Sequence, residues 1–398
     1  MSQLRKLLAL AVCFATVGFE AVSAEDHKHL PEITAVRYSV SHGALRIFLD
    51  IDKVPPFTVF TVVHPDRLIV DFPPIRWKIA EEMQTADVTA MRYGLFRQDR
   101  SRLIFDLTRP LRVEQVFSKP PSGSEPARLV IDLAATTRAD FEKRAGAPEA
   151  ARWTDQREPE SPRNDGALII AIDPGHGGVD PGASGGDLIE KVVVLEFAER
   201  FAAAINARDG LAAFLTRDSD EFVPLAERIA RAHAARASVF ISIHADSVEA
   251  GSANGMSVYT LSDEASDQAA DLFAARENRS DVLGGADLFG ESDALTRLLV
   301  ELAQRGTDDE SSKLARSLVK QLDRNVELLR SRPLRSGNFR VLKAPDLPSV
   351  LVELGFLDNA TDRKRLVDPV WQERAARGLV EGIAAWRKIA SPGFIQPR

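Results

Sequence analysis

From about residue 31 to 134, apolar and polar residues alternate with a period of two, and turn signals separate the runs. This is the pattern of strands with one buried face. From 167 the pattern changes. Continuous apolar runs, ALIIAI (167–172) and SVFISI (238–243), read as strands covered on both faces. Between them lie stretches of helical period, LEFAERFAAAINARDG (195–210), stopped by Gly210, and VPLAERIARAHAARA (223–237). Further strands are predicted at LAAFLTR (211–217), MSVYTL (256–261), NFRVLK (338–343) and SVLVEL (349–354), with a last helix near 371–389. The expected architecture is a small all-β sandwich followed by an α/β domain with a central mixed, mostly parallel sheet flanked by helices. Such sheets gather their chemistry at the carboxyl ends of the strands.

The β region repeats itself. LRIFLDIDKVPPFTVFTVVHPDRLIVDF (45–72) parallels SRLIFDLTRPLRVEQVFSKPPSGSEPARLVIDL (101–133): an Arg-led strand ending in aspartate, a proline-bearing turn, a middle strand, then RLIVDF or RLVIDL. Two similar β units packed face to face are expected over 31–134. His42 and His64 stand singly there, without the partners that metal or acid–base work needs, and read as structural. Residues 135–166 are charged and rich in Pro and Ala, and read as a semi-stiff linker. At the other end, Arg5 and Lys6 precede an apolar run that closes on Val22-Ser23-Ala24, so residues 1–24 read as a cleaved export signal of the general secretory route.

Composition narrows the chemistry. The chain has 398 residues, 44% of them hydrophobic and 27% charged, long enough for two or three domains without a membrane-span composition. The net charge of −7 argues against a nucleic-acid partner. Cys13, the single cysteine, lies inside the expected signal. The mature protein would then have neither disulfides nor thiolate ligands, and any metal would be held by histidine and carboxylate.

Those residue types stand at or beside strand exits. His176 follows ALIIAI in the glycine-rich loop AIDPGHGGVDPGASG (171–185), His244 follows SVFISI, and Glu353 follows SVLV. Glu190 opens the helix after the glycine loop. Two neutral imidazoles and one carboxylate suit zinc and leave a fourth position for water, whose proton a further carboxylate can take and return. Glycines fit a tight turn crowding an ion. Asp173 and Asp180 read as turn residues before imidazole-orienting ones. A phosphate loop would need the Gly-Lys-Ser/Thr ending that this stretch lacks. Arg217, in LTR, would contact a substrate carboxylate or form a salt bridge, and His233 reads as a helix-face residue. Spacing by itself implies only metal-assisted hydrolysis.

In order along the chain, IAIDPGHGGVDPGASG, IEKVVVL, LTRDSD, SVFISIHADS and PSVLVELGFLDN resemble the zinc-dependent N-acetylmuramoyl-L-alanine amidases of bacterial cell-wall turnover, across nearly all of 167–390. The duplicated β region resembles the AMIN domain that precedes the catalytic domain in cell-division amidases of Gram-negative bacteria. The resemblance implies one zinc ion held by His176, Glu190 and His244, with Glu353 as catalytic carboxylate. It also implies peptidoglycan as substrate, a periplasmic and septal location, and a LytM-domain activator protein. The segment 263–310 is longer than a compact connection requires. Division amidases carry an insert there whose helix plugs the cleft and lends a glutamate to zinc, and Glu277 best matches that role. The alternatives are a zinc peptidase cutting within the stem peptide and a non-catalytic wall-binding scaffold.

Overall fold

A computed structural model describes residues 30–41, 43–79, 85–122, 125–151, 166–247, 253–284, 294–344 and 346–394. The expected signal, Cys13 and His42 lie outside the described residues.

The first half is built from β1 (Glu32–Ser41), β2 (Ala44–Ile51), β3 (Thr58–Val62), β4 (Arg67–Phe72), β5 (Arg76–Trp77), β6 (Val88–Arg97), β7 (Arg100–Leu107), β8 (Leu111–Lys119) and β9 (Ala127–Ala135). They form two sheets, in the orders β5-β1-β2-β9-β8 and β3-β4-β7-β6. Leu45, Ile47 and Leu49 of β2 point inward at alternate positions, as a half-buried strand requires. They meet Leu68, Val70 and Phe72 of β4, Leu103 and Phe105 of β7, and Leu129, Ile131 and Leu133 of β9. The duplicated segments do not form one sheet each. β2 pairs antiparallel with β9, and β4 with β7, so each copy gives its first strand to the sheet of the other. The exchange knits the halves together, and neither copy is a free-standing unit.

The expected linker is compact in its first part. Thr137 caps the short helix α1 (Arg138–Arg144), its hydroxyl accepting from the Asp140 amide. Phe141 is buried in the sandwich core, and Ala151 is buried too. An aromatic residue in an otherwise polar stretch gives the helix an apolar face to dock, which average composition conceals.

The second half contains β10 (Leu168–Pro174), the short ribbon β11 (Ser184–Gly185) and β12 (Leu188–Ile189), α2 (Glu190–Asn206), β13 (Leu211–Leu215), α3 (Leu225–Ala234), β14 (Val239–His244) and β15 (Ser257–Leu261). It continues with α4 (Gln268–Glu277), α5 (Ser280–Gly284), α6 (Ala294–Leu322), β16 (Leu334–Gly337), β17 (Ser349–Glu353), α7 (Ala360–Leu366) and α8 (Pro369–Arg387). The six-stranded sheet runs β13-β10-β14-β17-β15-β16, and β15 pairs antiparallel with β17 while the remaining neighbours pair in parallel. Residues of α2, α6 and α8 pack on one face, and residues of α3 and α4 on the other. No helix among the described residues is long and apolar enough to cross a membrane.

Two expectations shift. The strand expected at 338–343 is instead β16, ending at Gly337, followed by a 3₁₀ turn over Arg340–Leu342. There Phe339, Val341 and Leu342 are buried while Arg340 and Lys343 are exposed, a spacing near three that suits a helical turn. α2 begins at Glu190, the residue expected to open it, whereas α6 reaches back to Ala294 through the second part of the expected insert.

Candidate metal centre

Each candidate side chain stands where an element begins or ends. Glu190 is the first residue of α2, His244 the last of β14, Glu353 the last of β17 and Glu277 the last of α4. Strand register sets His244 directly beside Glu353. His176 projects from the loop after β10 with φ +58°, a left-handed conformation costing an L-residue about 1–2 kcal/mol. Two buried arginines hold that loop. Arg228 donates to the carbonyls of Pro174 (2.8 Å) and His176 (2.7 Å) and pairs with Asp173 (2.9 Å). Arg217 donates to the carbonyls of Pro174 (2.9 Å), Gly175 (2.8 Å), Lys191 (2.9 Å) and Ser219 (3.0 Å). Close approach explains two glycines. A Cβ at Gly175 would lie 2.4 Å from the His244 ring, and one at Gly182 would lie 2.7 Å from both the His176 ring and Glu190 Oε2.

The donor atoms converge. Glu190 Oε1 lies 3.2 Å from His176 Nε2 and 3.1 Å from His244 Nδ1, and Glu277 Oε2 lies 3.4 and 3.2 Å from the same two nitrogens. Zinc–ligand bonds of about 2.0–2.1 Å in a tetrahedron set neighbouring donors about 3.3–3.4 Å apart, so these four separations match four of its six edges. The ligating atoms of His176, His244 and Glu277 all fall within 4.8 Å of one another. His176 Nε2 is buried and has no hydrogen-bond partner, as an atom reserved for a cation would be. Its other ring nitrogen faces Asp180 Oδ2 at 3.0 Å, which fixes the imidazole from behind. Asp180 therefore orients a ring as well as closing the Gly177–Asp180 turn, so the role placed second in sequence stands beside the one placed first. Asp173 anchors the loop through Arg228, Thr216 and Ser242.

The electrostatics point the same way. Burial pushes Glu190 toward its neutral form, but His176 and His244 outweigh it and hold its carboxyl well below the usual range. Burial lowers the His176 imidazole, yet Glu190, Asp180 and Glu277 raise it well above the ordinary histidine value. For Glu277, burial, with Glu190 and Asp180, prevails over the histidines and raises it. Burial and the neighbouring acids Asp246, Glu190 and Glu277 push Glu353 well above the carboxylate range. Asp246 is raised to about 7, first by burial, then by Glu190 and Glu277. Two imidazoles and the Arg276 guanidinium do not neutralise this many carboxylates. A divalent cation held there would supply the missing charge. The site's chemistry, histidine and carboxylate without sulfur, fits zinc.

Glu353 is wholly buried. The Asp246 amide donates to its Oε1 at 2.8 Å, while its Oε2 has no hydrogen-bond partner. The structure thus gathers His176, Glu190, His244 and Glu277, and sets Glu353 against the same charges. Arg217 is a different matter. Its side chain is fully buried and spends its donors on four carbonyls, so it clamps the loop and offers no face to a substrate carboxylate. Burial lowers it to about 10. Sequence reasoning missed Arg228, although it sits on the apolar stripe of α3 with Leu225 and Ala232, where a lone arginine is itself a signal. It also missed Arg276, whose guanidinium pairs with Asp246 (2.9 Å) and donates to the Ser247 carbonyl (3.0 Å) across the cleft.

Comparison with known proteins bears on this arrangement. A sequence profile for the family described as N-acetylmuramoyl-L-alanine amidase matches residues 170–385. N-acetylmuramoyl-L-alanine amidase AmiC of Neisseria meningitidis serogroup B is 34% identical over 375 residues, covering 89% of each chain. AmiC of Escherichia coli is 28% identical over 391 residues, covering 92% of each. Among solved structures, the amidase AmiC2 of Nostoc punctiforme is 30% identical with a TM-score of 0.42, covering 56% of this chain and 97% of that one.

Proposed function

The chain belongs to the N-acetylmuramoyl-L-alanine amidase family, and from that premise we propose a zinc-dependent peptidoglycan hydrolase, held closed by its own Glu277. The reaction is hydrolysis of the amide between the lactyl group of N-acetylmuramic acid and L-alanine. The observation that carries the zinc reading is the set of donor separations of 3.1–3.4 Å among His176, His244, Glu190 and Glu277.

His176, Glu190 and His244 would hold the ion, which when bound polarises the scissile carbonyl and acidifies water. Glu353 takes a proton from the attacking water and passes it to the departing nitrogen. The water oxygen bonds to the carbonyl carbon, the C–N bond breaks, and a lactyl carboxylate and a free alanine amine result. A buried carboxyl whose pKa is raised by its neighbours is suited to carry that proton between the two events. The Asp246 amide fixes one oxygen and leaves the other to do this. Asp180 keeps His176 in one orientation, and Arg217 and Arg228 keep its loop from relaxing.

Glu277 lies 3.4 and 3.2 Å from the two histidines, against 3.2 and 3.1 Å for Glu190, and so occupies a position that water needs. On this reading the parent protein is self-inhibited until an activator, of the LytM-domain type, draws α4 away. Residues 1–24 direct export to the periplasm through the general secretory route, and 31–134 bind peptidoglycan at the division septum in the manner of an AMIN domain. Purified sacculi incubated with the zinc-loaded mature protein test the reading. Glu277→Ala is expected to raise the basal release of stem peptides, with mass spectrometry finding free L-alanine amino termini. Cleavage inside the stem would instead identify a peptidase. A variant no more active than the parent at equal zinc content removes Glu277 from the regulatory role.

A further inference from the structure

The sandwich has two outer faces, and one of them is covered. The sheet β3-β4-β7-β6 lies against the second half at the loop that carries His176 and at α5, the turn of helix that follows Glu277. One small apolar cluster spans both halves: Phe60, Val62, Ile69, Phe96, Ile104 and Ala151 on one side, Val179 and Phe222 on the other. The Phe96 and Phe222 rings stack at 5.9 Å with planes 10° apart. The Phe222 amide donates to the Leu95 carbonyl at 3.1 Å, which joins the halves by backbone. Beside it, Gly94 faces Gly178, two residues beyond His176. A Cβ on Gly94 would lie 2.4 Å from the Gly178 carbonyl carbon, and backbone cannot move aside as a side chain can.

Two arginines of the sandwich reach the far end of α5. Arg67 pairs with Asp106 at 2.8 Å and donates to the Val282 carbonyl. Arg102 is fully buried, grips Asp71 through two bonds of 2.7 and 2.9 Å, stacks on Phe96 at 3.5 Å, and reaches the Gly284 carbonyl at 3.4 Å. Cations at the carboxyl end of a helix meet its exposed carbonyls and the negative pole of its dipole. The near end of α5 is tied to the site itself. Ser280 Oγ donates to Asp180 Oδ2 at 2.5 Å, the oxygen that faces His176, and Asp281 accepts from the Leu225 amide at 2.8 Å. Glu277 is thus secured ahead by Arg276 on Asp246 and behind by α5, whose last carbonyls are held by the sandwich.

We propose that this covered face is an intramolecular docking surface that helps keep the site closed: the sandwich, through Arg67, Arg102, Phe96 and Gly94, positions α5 and thereby Glu277, so that parting the halves loosens the plug. This rests on the reading of Glu277 as an inhibitory ligand. It couples the half that would bind the wall to the half that cuts it, since whatever draws the sandwich off the site also frees the segment behind Glu277.

Gly94→Ala tests this in the full mature protein, because the added methyl wedges the contact without touching any metal ligand. Hydrogen exchange at residues 279–284 is expected to rise, and basal stem-peptide release to increase about 5-fold or more. In a Glu277→Ala background the same substitution is expected to add nothing, because both changes act through one carboxylate. Mere damage to the fold would lower activity in both backgrounds. Unchanged exchange at 279–284 overturns the proposal, as does raised exchange with a parental basal rate while Glu277→Ala is active. Raised exchange with Glu277→Ala itself inactive confirms docking and rejects instead the inhibitory role of Glu277. As a converse check, Leu95→Cys with Glu221→Cys, at neighbouring positions of the bridge between the halves, is expected to suppress basal exchange at 279–284 until a reductant is added.

Discussion

Both halves of the molecule bury charge, and the metal centre of the second does so in the opposite way to the sandwich of the first. In the sandwich the acids face guanidinium groups: buried Asp71 is bracketed by Arg102 and Arg100, and half-buried Asp106 by Arg67 and Arg92. Asp106 is held below the usual carboxylate range, because its two arginines outweigh the burial that would raise it. Around the metal centre the acids crowd together with two imidazoles and the Arg276 guanidinium as the nearest counter-charge, and Glu353, Glu277 and Asp246 are raised instead. Closed pairs of this kind fix packing and strand order. An unbalanced cluster holds a charge debt that a cation or a transferred proton can settle. Glu353, Glu277 and Asp246 are raised beside the metal centre and are set for reaction, whereas Asp106 in the sandwich and Asp173 in the second half are lowered, despite burial, by arginines and serve packing.

The contrast can be broken deliberately. The largest effect is expected at Glu353→Gln, which keeps shape and removes the proton carrier: about 10²–10⁴-fold less stem-peptide release. Zinc content by elemental analysis should be unchanged, and a loss of zinc would make Glu353 a ligand instead. Next comes Asp71→Ala in the sandwich. Taking the acid out of its buried pair should cost about 3–5 kcal/mol, read as a lower urea midpoint. A stable variant would mean that the arginines of the covered face find other acceptors. Asp180→Asn should lower zinc affinity about 10–100-fold by releasing His176, measured by competition with a chelator while the fold persists. Undiminished affinity would return Asp180 to a turn-forming role.

The smallest effect is a pH dependence. Asp106 carries a lowered folded-state pKa, so its contribution is present above the ordinary carboxylate value and drains away as pH falls through the lowered one. The urea midpoint of the sandwich should therefore fall between pH 5 and pH 3, and Asp106→Asn should flatten that slope. An equally steep slope in the variant would assign the acid sensitivity elsewhere.

Much of the site was readable before any coordinates. His176, Glu190, His244 and Glu353 stand out because strand exits and a helix start are written in local apolar pattern, and because glycines mark where backbone must press on a ring. Asp180 reads first as a turn residue and second as an imidazole-orienting one, because the two look alike in sequence. Arg217 reads as a substrate contact or a salt bridge, and carbonyls do not enter that reading: a guanidinium aimed at carbonyls and one aimed at a carboxylate differ only in what lies opposite.

Period and composition determined two architectures, a duplicated β region, and a sulfur-free set of candidate ligands. These are local properties, fixed within a few residues by how a strand or helix sorts its side chains between core and water. The exchange of strands between the two copies, the convergence of atoms from residues 176, 190, 244 and 277, and the seating of Arg67 and Arg102 on α5 were decided by tertiary structure alone. Each depends on which distant segments share a face, and no window of sequence contains that distance.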